Sequence, residues 1–115
     1  MIDDRDRDRL RDMPSYAKDA LELLGDSDPA ALAGHKMRFY AVTRAMEIVG
    51  EAASQVSSAC RESLPTLPWS GAIRTRNRLI HAYRGLDVVV MVATVRQDVP
   101  LLIDEPERLL GNSSP

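Results

Sequence analysis

Residues 36–62 form the longest periodic segment of this 115-residue chain, and they limit most strongly what it can fold into. Their apolar residues recur at helical spacing in two adjacent stripes, one starting at Met37 and the other at Phe39. A helix that is apolar over more than half of its circumference packs against several neighbours and lies at the centre of a bundle. Gly50 and the alanines around it would allow another helix to approach closely. The segment therefore predicts a helical protein built around residues 36–62.

The segment before this central helix predicts a first helix and a turn. Residues 10–24 carry an apolar helical stripe, and Pro14 within it is expected to kink or restart the helix. Gly25 is expected to end it, because glycine tolerates the left-handed backbone found after many helices. In the turn that follows, Asp28 is the candidate N-cap and Pro29 the candidate first residue of the next helix.

Two more helices are predicted after the central segment. One spans residues 69–83, with Pro68 in its first turn and a stop near Gly85. The other spans residues 88–103 and is expected to kink at Pro100. Its valine-rich start also has strand propensity, but the rest of the chain offers no strand for it to pair with, and a lone strand is not stable. The predicted fold class is all-α, an up-and-down bundle of four to five helices.

The whole chain, residues 1–115, is expected to form a single domain. Aspartates and arginines alternate over residues 3–12, and we interpret this run as a solvated helix start in which residues 1–9 are partly frayed. Residues 111–115 are expected to form a frayed tail.

Composition narrows the class of protein. The single cysteine, Cys60, excludes an intrachain disulfide and a cysteine-based zinc site, and it fits a reducing cytoplasm. No apolar run approaches the roughly 18–20 residues of a membrane span, and the charged N-terminus does not resemble a secretory signal. Glu47 and Glu51 lie on the polar edge of the central helix, but no other acid or histidine at helical spacing completes a metal site. We therefore expect a cytoplasmic protein without a bound metal or cofactor.

Residues 74–84 are the candidate functional stretch. They hold four arginines, one histidine and one tyrosine, and no acid, in a chain whose net charge is -2. The arginines are Arg74, Arg76, Arg78 and Arg84. A cationic cluster on a weakly anionic protein suggests a phosphate site, and His81 can transfer protons near neutral pH. Arginine and histidine together could cleave a phosphodiester, although both also occur simply as favourable charges at the end of a helix.

The spacing of Arg76 and His81 leaves two arrangements open. On a straight helix, residues five apart point in directions about 140° from each other. The helix could be distorted or end near His81, as Gly85 permits, or a symmetric dimer could place one subunit's arginine against the other subunit's histidine. Asn77 precedes His81 by four residues, so its amide could orient the imidazole.

Four blocks of the sequence together resemble the HepT toxins, a branch of the HEPN superfamily. Residues Arg76 to Tyr83 are similar to their Arg-x4-His-x-Tyr motif. Residues 45–53 resemble a segment of their central helix, 65–69 the loop before the motif helix, and 96–100 a segment after it. The blocks follow the family's order and spacing.

The resemblance implies a helical bundle that dimerises through its motif helices and cleaves RNA, without a metal, in the cleft between two subunits. Arg76 would bind the scissile phosphate, and His81 would act as general base or acid for attack by the neighbouring 2′-hydroxyl. The side chains expected to support the site or bind RNA are Asn77, Arg74, Arg78 and Arg84. Because arginines on a helix contact phosphate without reading bases, messenger RNA and tRNA are both open as targets.

The resemblance also implies a protein partner. HepT toxins are encoded beside a small nucleotidyltransferase antitoxin, MntA, which transfers AMP onto the motif tyrosine, here Tyr83. The chain would then be the toxin of a type VII-like toxin–antitoxin pair. Arg74-Thr75 and Arg84 depart from the family pattern and add charge around the site. An alternative function is a non-catalytic helical binding subunit that scaffolds the nucleotidyltransferase.

Overall fold

The longest predicted segment supplies the central helix of an all-helical protein. A computed structural model describes residues 2–81 and 88–112. These residues form seven helices and no strand: α1 (Asp4–Leu24), α2 (Pro29–Gly34), α3 (Lys36–Gln55), α4 (Ser58–Ser63), α5 (Trp69–His81), α6 (Val88–Gln97) and α7 (Val99–Asn112). Five of the seven have ten residues or more, and α2 and α4 have six each. The predicted all-α class is confirmed.

The central position of α3 follows from its neighbours. It packs against α1 and α5, while α1 also packs against α7, and α2 contacts both α3 and α6. Large buried side chains from several of these helices are almost completely covered, among them Leu10, Met13, Val42, Met46, Val49, Met91, Val95 and Leu102. Since the buried residues form one continuous cluster, α3 serves as the platform on which the other helices are placed.

The first helix and its turn largely follow the prediction. Helix α1 continues through Pro14, so it does not restart there. Gly25 ends it with a φ of 54°, a backbone conformation that favours glycine. Asp28 caps α2 by accepting a hydrogen bond of 2.7 Å from a backbone N–H of the first turn, and Pro29 is the first helical residue. The predicted end of α1 and the predicted start of α2 are confirmed.

The predicted helix over residues 36–62 is two helices, because the chain turns at Val56. Val56 has an extended backbone, and Ser57 caps α4. A buried carboxylate from the N-terminal run holds this turn. Asp6 accepts hydrogen bonds from the Ser57 N–H at 2.8 Å and from the Ser57 hydroxyl at 2.6 Å. The predicted helix start is confirmed, since α1 begins at Asp4 and most of the run's charged residues are exposed, but Asp6 is buried and not solvated.

Asp6 also influences the single cysteine. Cys60 is a free, buried thiol in the first turn of α4, and its backbone N–H donates to the Ser57 hydroxyl oxygen at 3.2 Å. Burial, and secondarily the Asp6 carboxylate, raise the pKa of the Cys60 thiol above its ordinary value. The thiolate is the reactive form of cysteine, so this thiol is less reactive than an exposed one.

Replacing Asp6 by alanine is expected to lower the free energy of unfolding by about 1.5–3 kcal/mol, because the charged acceptor of two Ser57 donors is lost. Chemical denaturation measures this change. Asp8→Ala is the matched control, since Asp8 is an exposed residue of the same helix, and it should stay within about 0.5 kcal/mol of the wild type. Equal stability of the two variants would contradict a stabilising role for the Asp6–Ser57 bonds.

The segment predicted as one helix over residues 88–103 is helical, which settles the choice between helix and strand. It contains a break at Asp98, however, two residues before the predicted kink at Pro100. Pro100 is the second residue of α7, where a missing N–H removes no intrahelical hydrogen bond. The chain therefore turns at the junction of two helices and not within one.

The C-terminal helix is longer than predicted. Helix α7 runs to Asn112, so the frayed tail does not begin at Gly111. The predicted stop near Gly85 and the final residues 113–115 lie outside the described residues. None of the helices in residues 2–81 and 88–112 combines the length and apolar character needed to cross a membrane.

Candidate active site

Helix α5 carries most of the predicted motif, and buried side chains anchor its start. Trp69 is buried, and its indole N–H donates to the Leu64 carbonyl at 2.9 Å. Leu67 is also buried. Pro68 immediately precedes the helix, and its carbonyl accepts a hydrogen bond from the Ala72 N–H at 3.0 Å. Burial of both Leu67 and Trp69 fixes the corner from which α5 leaves α4.

A glycine on α3 allows α5 to approach closely, as its sequence position predicted. A Cβ atom placed on Gly50 would overlap the Cβ of Arg76 and lie 2.7 Å from the Ala72 carbonyl oxygen. No other residue leaves enough space between the two helices at this point. The contact fixes where Arg76 leaves the α5 backbone, directly against α3.

The Arg76 guanidinium is held by two further side chains. Its Nη2 lies 2.7 Å from Oε2 of Glu51 on α3, and its Nη1 donates to Oδ1 of the neighbouring Asn77 at 2.9 Å. Glu51 is itself engaged through its other oxygen, Oε1, which accepts a hydrogen bond of 2.8 Å from Gln55. A small polar network across the α3–α5 contact therefore orients the predicted phosphate-binding arginine.

This network lies at the surface and not in the core. The Arg76 side chain is 30% exposed and that of Glu51 is 46% exposed. Ion pairs with this degree of exposure stabilise a fold by about 0–1 kcal/mol at most. The Nε of Arg76, in contrast, is buried and has no hydrogen-bond partner within the described part of the chain. The pair thus contributes mainly to the orientation of the guanidinium, which remains accessible to a ligand.

The structure brings together two of the predicted site residues, Arg76 and Asn77. Arg74 is exposed near the middle of α5, and His81 is the last described residue of the helix. The side chains of Arg78 and His81 are outside what the structure describes, as are Tyr83 and Arg84 altogether. The predicted contact between Asn77 and His81 therefore stays a prediction, and the observed partner of the Asn77 amide is Arg76.

Glu51 is the site residue that the sequence analysis missed. The sequence suggests only a carboxylate pair of Glu47 and Glu51, but Glu47 lies 3.2 Å from Arg44 and Glu51 pairs with Arg76. Glu51 directly follows Gly50, and this position is the signal that could have identified it. An acidic residue next to the point where a basic helix comes closest can reach the arginines of that helix. Among residues 2–81 and 88–112, no group of three potential metal ligands is found.

Comparison with known proteins identifies the family. The profile of the HepT-like ribonucleases matches residues 13–109. "Putative RNase MJ1380" of Methanocaldococcus jannaschii is 39% identical over 98 residues, which cover 85% of this chain and 90% of the relative. "Probable ribonuclease HepT" of Thermococcus cleftensis is 43% identical over 70 residues, covering 61% and 64% of the two chains. No solved structure matches significantly.

The described residues form an all-helical bundle with an oriented, partly exposed arginine on a basic helix. The matches define it further: this chain belongs to the HepT-like ribonuclease family. The predicted resemblance and the predicted enzyme class, an endoribonuclease, are confirmed at the level of the family. Membership of a ribonuclease family also implies an RNA substrate.

Proposed function

We propose that this chain is a metal-independent endoribonuclease toxin in which Arg76 and His81 cleave RNA. The observation that carries the proposal is the orientation of Arg76, held by Glu51 and Asn77 on a helix of a HepT-like ribonuclease. The bonds to Glu51 and Asn77 each use one N–H of the Arg76 guanidinium, so its Nη1 and Nη2 each keep a second N–H that can donate. Two such donors can bind two oxygens of one phosphate.

The proposed reaction uses the RNA's own 2′-hydroxyl. Its oxygen attacks the adjacent phosphorus while the bond from phosphorus to the 5′-oxygen breaks, which leaves a 2′,3′-cyclic phosphate and a 5′-hydroxyl. His81 takes the proton from the 2′-hydroxyl or gives one to the leaving 5′-oxygen. Arg76 stabilises the charge that accumulates on the phosphate oxygens. DNA lacks the 2′-hydroxyl and is not a substrate.

A homodimer would complete the site. Arg76 and His81 are five residues apart on α5 and leave a regular helix in directions about 140° apart. In a twofold dimer built on the motif helices, Arg76 of one subunit can face His81 of the other. Two equivalent sites would then lie in the cleft between the subunits, with Arg74, Arg78 and Arg84 beside them to bind further phosphates of tRNA or messenger RNA.

The proposed regulation is AMP transfer onto Tyr83 by an MntA-like nucleotidyltransferase antitoxin, in a type VII-like pair located in the cytoplasm. Tyr83 follows the motif histidine by two residues. A nucleotide attached there would bring a negative phosphate next to the arginines and compete with RNA for them. Modification would thereby block substrate binding without removing either catalytic side chain.

The chemistry is tested with purified, unmodified protein and a defined RNA of mixed sequence. Cleavage is expected to persist in excess EDTA, to produce 2′,3′-cyclic phosphate ends, and to fail at a position where the RNA carries a single 2′-deoxynucleotide. Mass spectrometry of the fragments identifies the ends. Fragments with 5′-phosphate ends, or activity that requires added Mg²⁺, would contradict the proposed mechanism, and complete inactivity would favour the non-catalytic binding subunit.

Tyr83→Phe is expected to remain a ribonuclease that its antitoxin cannot neutralise, because phenylalanine has no hydroxyl to accept AMP. Intact-mass spectra after incubation with the nucleotidyltransferase and ATP should show added AMP units on the wild type and none on the variant. Tyr40→Phe, at an exposed tyrosine on α3, is the matched control and should be modified like the wild type. Full neutralisation of Tyr83→Phe would contradict AMP transfer as the mechanism.

A further inference from the structure

We propose that Glu51 is a positioning residue for Arg76, an inference that rests on the proposed ribonuclease function and adds a residue to its site. Glu51 lies on α3, outside the motif helix, and its carboxylate contacts the guanidinium and not the reacting atoms. Its role is to hold the phosphate-binding arginine in the orientation that cleavage requires.

Arg76 is restrained at both ends of its side chain by α3. At the backbone end, a Cβ on Gly50 would overlap the Arg76 Cβ and lie 3.0 Å from its Cγ, so these atoms rest directly on the α3 backbone. At the other end, Glu51 binds Nη2 at 2.7 Å, and Asn77 binds Nη1 at 2.9 Å. Donors that are fixed before the substrate arrives stabilise transition-state charge most effectively.

Glu51 is itself oriented, which is what a positioning residue requires. Its Oε1 accepts a hydrogen bond from Gln55 at 2.8 Å, one turn further along α3, and its Oε2 is the atom that binds Arg76. The two oxygens therefore have separate partners. Rotation of the carboxylate away from Arg76 would break the bond to Gln55 as well.

The arrangement favours positioning over simple neutralisation of the arginine's charge. Arginine stays protonated with or without a carboxylate beside it, so loss of Glu51 leaves the charge that attracts RNA. The pair is also partly exposed, so a phosphate can bind the second N–H of each terminal nitrogen while Glu51 stays in place. Loss of Glu51 should therefore affect the chemical step more than RNA binding.

The test is steady-state and single-turnover cleavage of one defined RNA by Glu51→Gln, which keeps the size of the side chain and removes its charge. We expect kcat to fall by about 10–100-fold, because misplaced reacting groups cost factors of this size, and KM to rise by no more than about twofold. Glu47→Gln is the matched control: it lies one turn earlier on α3, pairs with Arg44, and should keep kcat within about twofold of the wild type.

A double-mutant cycle shows whether Glu51 acts through Arg76. In the Arg76→Ala background, adding Glu51→Gln should reduce the rate of RNA cleavage by less than about twofold. This slow cleavage is measured with enzyme in excess over RNA and over long times. An equal loss in both backgrounds would overturn the proposal, as would a lower KM with unchanged kcat, which would indicate that Glu51 only screens the charge. Circular dichroism checks that every variant is folded.

The same data separate this proposal from the function on which it rests. If Arg76→Ala loses activity but Glu51→Gln keeps it, the positioning role of Glu51 is wrong and the proposed function stands. If Arg76→Ala cleaves RNA as fast as the wild type, or the wild type is inactive, the Arg76 site itself is wrong and the role of Glu51 fails with it.

Discussion

Replacing His81 by alanine is expected to slow RNA cleavage by about 10²–10⁴-fold, the usual contribution of a general acid or base. Replacing Arg76 by alanine should cost about 10²–10³-fold, the usual contribution of one donor that stabilises an oxyanion. Arg76→Ala should not unfold the protein, since the Arg76–Glu51 pair is partly exposed and contributes little stability. Single-turnover cleavage of a defined RNA measures both losses.

Matched controls are available for both substitutions. His35→Asn removes the other histidine, an exposed N-cap of α3 whose Nδ1 accepts the Arg38 N–H at 3.1 Å, and replaces it with another good N-cap. Arg44→Ala removes an exposed arginine of α3. Both controls should cleave RNA within about twofold of the wild type, as expected for surface changes outside the site. Wild-type rates in His81→Ala and Arg76→Ala would remove these residues from the mechanism.

Gly50→Ala is expected to damage both stability and activity, because the added methyl group would overlap Arg76 and crowd the Ala72 carbonyl. Two effects oppose each other here. Alanine is favoured over glycine inside a helix by about 1 kcal/mol, whereas overpacking costs typically about 1–3 kcal/mol and sometimes more. Since the nearest atoms belong to the α5 backbone and the start of a side chain, α5 must shift as a whole and the overpacking term dominates.

The expected result for Gly50→Ala is a melting temperature lower by up to roughly 8 °C, from a net loss of up to about 2 kcal/mol, and RNA cleavage reduced by at least about tenfold, because Arg76 moves with α5. Thermal denaturation and the cleavage assay measure the two effects. Gly34→Ala is the control, because Gly34 ends α2 and a Cβ there meets no atom of the described residues within 4 Å. The stability of this variant should be unchanged or slightly increased. A Gly50→Ala variant as stable and active as Gly34→Ala would contradict the close α3–α5 contact.

Features that depend on neighbouring residues could be predicted from the sequence. The all-α class followed from apolar periodicity, and the end of α1 at Gly25 followed from the left-handed conformation that glycine accepts. Asp28 could be identified as a cap because its partner lies three residues away. Gly50 was recognised as a point of close approach, although its partner helix was not identified.

Features that depend on distant partners could not be predicted. The helix break at Val56 is stabilised by Asp6, which is 51 positions from its partner Ser57, and periodicity continues across the break. The same limit applies to the site: Arg76 and Asn77 belong to the motif, but Glu51 joins them only because α3 and α5 pack together. Gly50 marks a close helix contact beside Glu51, but nothing local in the sequence identifies α5 as the helix that Glu51 meets.

Complementation between two inactive variants tests whether Arg76 of one subunit and His81 of its partner form the ribonuclease site. Arg76→Ala and His81→Ala are mixed under conditions that exchange subunits, native mass spectrometry measures the mixed dimers, and cleavage of a defined RNA is followed. We expect recovery of about one quarter of the wild-type activity, since half of the dimers are mixed and each of these holds one complete site out of two. Mixed dimers no more active than either parent would contradict a shared site.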